Sequence, residues 1–202
     1  MAIQINGGGT ITGLSSGGLP AGSVTSATLA AGVVSSGLPS GSVIQTKFAR
    51  DTSSQTVTNS GLGNTASNWF DLPNLSINIT PTSSSNKILV LSHACAGEQS
   101  HLYGLWFRVM RDTTPLGGAT SNNRSSVGFG MASNSTYTDD QMGSASFSYM
   151  DEPASASQLT YKVQGIARYS PHAWAYNMSY DQNNAGSFAQ GVSTLTVMEI
   201  KA

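Results

Sequence analysis

The sequence predicts an all-β protein, an antiparallel sandwich or barrel behind an extended, uncharged, Gly/Ser-rich N-terminal arm. Three observations carry this prediction. No Asp, Glu, Lys, Arg or His occurs from Met1 to Thr46, and the first charge is Lys47. Beyond Val43, short runs of apolar residues alternate with polar ones at the two-residue period of a strand. Turn-forming Gly, Pro, Asn and Ser patches separate those runs, and no convincing amphipathic helix interrupts them.

The arm spans residues 1–42. Within it Gly18-Leu19-Pro20-Ala21-Gly22-Ser23-Val24 returns as Gly37-Leu38-Pro39-Ser40-Gly41-Ser42-Val43. Two copies fall short of the three or more that a solenoid needs. Each Leu-Pro-x-Gly reads as a turn, with Pro fixing φ and Gly tolerating φ > 0. Apolar residues recur near every fifth position, at Leu14, Leu19, Val24, Leu29 and Val34, which fits neither helix nor strand. The plain reading is a linker. The preferred reading is an arm that orders by packing on other chains, with Ile11, Leu14, Leu19, Val24 and Leu29 as its anchoring side chains, because a solvated linker has little use for regularly placed aliphatic residues.

Residues 43–202 form the second region. Leu75, Ile77 and Ile79 alternate with Ser76, Asn78 and Thr80 before Pro81 and a serine run stop the strand. Lys87 to Ala94 follows as a near-continuous apolar run, suited to an inner strand. Further strands are expected at Gln55–Asn59, Trp69–Leu72, Leu102–Arg111, Val127–Met131, Ser144–Tyr149, Leu159–Ile166, Ala173–Ser179 and Thr194–Ile200. The patches Thr114–Gly118 and Asp181–Gly186 read as turns. Many short strands at regular spacing point to a sandwich or barrel.

Composition bounds the function classes. The 202 residues suit one domain, or one domain with an appendage. Only 9% are charged, and 9 basic against 10 acidic groups leave a net charge of −1, so the basic footprint of a nucleic-acid binder is missing. No apolar run reaches the ~18 residues of a membrane helix, and no secretory leader pattern opens the chain. The single cysteine, Cys95, excludes an intrachain disulfide, so stability is expected from burial, backbone hydrogen bonding or association.

Several patterns imitate chemistry. Gly13-Leu14-Ser15-Ser16-Gly17 matches a nucleophile elbow, but it lacks the strand before and the helix after that would strain the serine, and no histidine precedes His93. The glycine clusters at 7–9 and 61–63 lack a following helix and a phosphate-binding lysine. His93 and Cys95, two apart on a strand, share a face and with Glu98 or His101 offer zinc-type ligands; no second ligand pair has a recognisable spacing, and a core cysteine beside a histidine is the ordinary reading. The pairs Asp139-Asp140 and Asp151-Glu152 point to opposite faces of a strand, which suits turn solvation better than acid–base work. No catalytic, cofactor or metal site is therefore expected.

The aromatic stretch is more suggestive. His172, Trp174, Tyr176, Met178 and Tyr180 alternate with Ala173, Ala175, Asn177 and Ser179, with Tyr169 just before them. Such a stripe either fills a core or subunit interface, the preferred reading, or stacks on a ligand. Tyr169, His172, Trp174 and Tyr176 are the candidate contact residues.

Finally, Ile11-Thr12-Gly13-Leu14-Ser15, the two Leu-Pro-x-Gly-Ser-Val runs, Ser76-Ile77-Asn78-Ile79-Thr80-Pro81, Ser84 to Val90, Phe107 to Arg111, Tyr161 to Gln164 and Thr194 to Ile200 together resemble bacteriophage fibre and virion structural proteins that end in a jelly-roll domain of C1q/TNF type. The resemblance implies an antiparallel jelly-roll β-sandwich, a homotrimer, no enzymatic activity and no cofactor. It also implies a virion location after assembly in the host cytoplasm, and host attachment through a surface glycan or protein. The arm would contact other virion proteins. Because the strands begin by Val43, any shaft would be very short. The alternative is a capsid decoration or cement protein; a third reading is a carbohydrate-active enzyme on a jelly roll, which would need two acids facing across a groove.

Overall fold

A computed structural model describes residues 37–58, 69–98, 104–118, 127–131, 141–167, 173–181 and 189–202. The anchoring candidates Ile11, Leu14, Leu19, Val24 and Leu29, and the contact candidates Tyr169 and His172, lie outside the described residues. All the strands belong to one compact unit, Pro39–Ala202. Gly41 N–H donates to the Lys201 carbonyl and Lys201 N–H to that of Ser42, so pairing starts just ahead of the first strand.

Eleven strands are formed among the described residues: β1 Val43–Asp51, β2 Gln55–Thr58, β3 Phe70–Ile79, β4 Lys87–Glu98, β5 Leu105–Arg111, β6 Thr114–Leu116, β7 Phe129–Met131, β8 Met142–Asp151, β9 Leu159–Ala167, β10 Ala173–Tyr176 and β11 Ser193–Ile200. Every ladder is antiparallel. Several strands are pieces of one row. Along one edge of β4, β11 pairs with Lys87–His93 and β10 with Ala96–Glu98; β1 and β2 continue each other outside them. In the other sheet β7 and β6 share one edge of β5. With collinear pieces counted once, the first sheet runs β1/β2, β11/β10, β4, β8, and the second runs β3, β9, β5, β6/β7. The first row pairs with the last, the second (β3) with the seventh (β9), the third (β4) with the sixth (β8), and the fourth with the fifth. This is the jelly-roll pattern.

Between the sheets lies one core. Alternation sends Leu195 and Val197 of β11, Ile88 and Val90 of β4, Tyr161 and Val163 of β9, and Leu105, Phe107 and Val109 of β5 inward, all buried. Trp174 is its largest side chain, fully buried and edge-on to both Phe70 and Phe107, with ring centroids 6.1 Å away in each case. Gly165 makes room for it: a Cβ there would stand 3.0 Å from the indole.

Several expected elements change. The runs Trp69–Leu72 and Leu75–Ile79 are one strand, β3, whose register shifts between Asp71 and Ser76. Pro73 and the left-handed Asn74 (φ 57°) form a bulge there, so Leu72 and Leu75 both face inward. β6 occupies part of the expected turn at Thr114–Gly118, because the tight turn falls earlier, at Asp112 (φ 51°) and Thr113. Pro115 is tolerated on that edge strand, where a missing N–H costs least. β10 stops at Tyr176 instead of Ser179: Asn177 turns left-handed (φ 56°), and the aromatic alternation ends there.

Candidate functional site

Three buried polar clusters hold the sandwich together. Glu199 points inward from the end of β11 and is fully buried. Its Oε1 accepts from Thr82 N–H (2.7 Å), Thr82 Oγ1 (2.8 Å) and Asn86 Nδ2 (2.6 Å), and its Oε2 from Gln45 Nε2 (2.6 Å). Burial pushes this carboxyl up, yet the donors from Gln45, Asn86 and Thr82 together outweigh it and hold the group below its ordinary value. Asp151, at the end of β8, receives both Arg111 Nη1 (2.7 and 2.9 Å) and the Tyr161 hydroxyl (2.6 Å). At the β10–β11 break, Asn177 Nδ2 donates to the carbonyls of Asp51 and Ser53, Ser193 Oγ donates to Asn177 Oδ1, and Cys95 N–H donates to Ser193 Oγ. All three join segments that lie far apart in the chain.

Of the sequence candidates, Trp174 and Tyr176 belong to the core. Both are fully buried, which leaves them nothing to offer a ligand or a neighbouring subunit. Contact through those two residues is thereby corrected to internal packing: at this point the alternating face points between the sheets. Beyond Asn177, Met178 and Tyr180 no longer continue the stripe.

His93 and Cys95 do meet. Cys95 Sγ lies 3.3 Å from His93 Nε2, and the other ring nitrogen lies 3.0 Å from Ser146 Oγ. The order Ser–His–Cys imitates a catalytic relay, but the third member is wrong for it. Burial pushes the Cys95 thiol up, so it stays neutral and cannot stabilise an imidazolium as a carboxylate would. Among the described residues no three His, Cys, Asp or Glu groups converge on a metal position.

The two outer sheet faces differ sharply. On the first sheet, register sets up parallel rows across four strands: Thr46, Met198, Leu89 and Met150; then Phe48, Thr196, Leu91 and Ser148; then Arg50, Thr194, His93 and Ser146. The first two rows contain no charge. Phe48 is 62% exposed, Met150 42% and Leu91 36%. A groove of about 450 Å³ runs beside Leu91 and His93, with Thr194, Thr196, Ser146 and Ser148 on its walls.

The second sheet faces outward with charge and indoles. One row is Asp71, Gln164 and Arg108. Arg108 Nε donates to Gln164 Oε1 (2.8 Å), Gln164 Nε2 donates to Asp71 Oδ1 (2.5 Å), and Lys162 Nζ donates to Asp71 Oδ2 (2.8 Å). Burial raises the Asp71 carboxyl, but bonds from Lys162 and Gln164 and the charges of Lys162 and Arg108 hold it below its usual range. The Arg108 guanidinium carbon sits 4.1 Å over the Trp69 ring. The next row sets Trp106 between Ile166 and Gly130.

No family model matches the chain, and no curated protein matches it. Among solved structures the chain is similar to one in the structure of infectious bursal disease virus strain Gx. The TM-score is 0.35 and the identity 12%, over 79% of this chain and 43% of that one. The chain thus spans less than half the length of that protein.

Sequence reasoning missed both outer faces. The members of each come from four strands, and only the ladder register brings them together.

Proposed function

We propose that this chain is a non-enzymatic structural protein of a virion, a bacteriophage fibre or tail appendage that assembles as a homotrimer and serves host attachment. The observation that carries the reading is the uncharged outer face of the first sheet. Phe48, Leu91 and Met150, set among threonines and serines, form a surface of the composition that subunit interfaces favour, with charge kept to its margins. A sandwich so poor in charge gains solubility by covering such a face with further copies of itself. The number three comes from the resemblance of the sequence to phage fibre proteins, whose terminal jelly rolls are trimeric.

The uncharged residues 1–42, with their spaced aliphatic side chains, serve in this reading as the anchor to other virion proteins. Imaging particles purified from cells that express the chain, beside particles from cells in which its gene is deleted, tests the assignment. Difference density on the tail is expected. Density on the capsid lattice would favour a decoration protein, and particles lacking the chain altogether would refute a virion role.

A further inference from the structure

The outer face of the second sheet holds a constellation that neither the core nor the uncharged face uses. Trp106 is seated by two glycines. A Cβ on Gly130 would fall 2.3 Å from the indole, and one on Gly104 3.4 Å from it. The sheet surface is therefore cleared of side chains where the ring rests, and the indole remains partly exposed. Two residues along the same strand, about 7 Å away, stands Arg108, packed over the partly exposed Trp69.

Beside the indoles, Arg108, Gln164, Asp71 and Lys162 orient one another through three hydrogen bonds. This row offers donors and acceptors together, guanidinium and ammonium N–H groups and a carboxylate, aligned by the buried Gln164 amide between them. We propose that Trp106, Trp69, Arg108, Gln164 and Asp71 form a saccharide-binding site, with a pyranose ring laid on indole and its hydroxyls bonded to the polar row. Sugar hydroxyls both donate and accept, which matches such a mixed row. The apolar C–H face of a pyranose matches an aromatic plane. A protein partner fits less well, because Asp and Lys are depleted from the centres of protein interfaces. The uncharged face of the opposite sheet has that protein-binding character instead.

This inference deepens the attachment half of the reading above and rests on it for the biological source of the glycan, but not for binding itself. Full-length protein applied to an array of neutral and uronate-containing oligosaccharides should retain at least one of them. Calorimetric titration of the retained oligosaccharide should then show Trp69→Ala and Arg108→Gln each weakening binding by about tenfold or more, the scale of a lost charged hydrogen bond or stacking partner. Gly130→Ala should do the same, because its Cβ would displace the indole of Trp106 and press on the Leu105 carbonyl (2.8 Å) beside it. Ser148→Ala, on the opposite sheet, should leave affinity unchanged, and thermal melts of the Trp69 and Arg108 variants should stay near that of the parent. An array that retains nothing overturns the site, as does undiminished affinity in both Trp69→Ala and Arg108→Gln. A chain that binds glycan but is absent from particles would refute the virion reading and leave this site standing; a particle-borne chain that binds no saccharide would do the reverse.

Discussion

Replacing Trp174 with alanine should destabilise the sandwich by about 3–5 kcal/mol, the range for large aromatic truncations in a core. The side chain is fully buried and edge-on to Phe70 from β3 and Phe107 from β5, so it joins the two sheets across the interior. Its bed has little to collapse with, because Gly165 beneath the indole has no side chain to move into the space. For a domain of this size the melting temperature should fall by roughly 10 °C. The comparison needs equal protein concentrations, since self-association would couple to unfolding. An unchanged melt would show that the indole is not part of the core.

Removing the Glu199 carboxylate should be nearly as damaging. Glu199→Ala leaves the buried Asn86 Nδ2 without its carboxylate acceptor and unpairs the part-buried Thr82 N–H, while Gln45 Nε2 keeps the Thr80 carbonyl. At roughly 1–3 kcal/mol for a buried donor left dry, and less for the part-buried one, the loss should be about 2–4 kcal/mol. Glu199→Gln keeps the shape but sets an amide N–H against donors, so a smaller loss is expected. The pH dependence separates charge from shape. The folded carboxyl titrates below its ordinary 4.5, so its contribution is present above that value and disappears as pH falls through the lower, folded pKa. The stability gap between the parent and Glu199→Gln should therefore be full at neutral pH and narrow under acid. A gap independent of pH would contradict an ionised, donor-held Glu199. Asp51 and Asp71 are also held low, which is why the difference between the two proteins, rather than either curve alone, carries the test.

Much of the fold was legible because its signals are local. The alternation of Leu75, Ile77 and Ile79, and of Leu195 and Val197, gives strand and inward face together. The abrupt start of charge at Lys47 lies within β1. The features that escaped depend on distant partners. Asn74 adopts a left-handed conformation in a bulge whose register is set by β9, and its side chain reaches Asp51 (3.3 Å). Asn177 ends the aromatic alternation because Ser193 and the carbonyls of Asp51 and Ser53 hold it, none of them a sequence neighbour. The stripe at residues 172–180 is a local pattern, and Trp174 and Tyr176 of it lie in the core. The half-buried indoles of the proposed saccharide site, Trp69 and Trp106, sit in runs that read only as strands, and Arg108, Gln164 and Asp71 join them through register alone. Likewise, Glu199 looks like a surface residue closing a strand until the Thr82–Asn86 turn is folded over it.

Sedimentation of the purified full-length chain, with and without a charge placed on the first sheet, decides whether the uncharged face joins copies of this protein. The parent should sediment at three times the 20.9 kDa chain mass at micromolar concentration. Leu91→Asp and Phe48→Asp put an unpaired carboxylate into the uncharged rows and should each give a folded monomer, since both sites are exposed within a single chain. A parent that sediments as a stable monomer, or aspartate variants that remain trimeric, would contradict the assignment of this face to self-association.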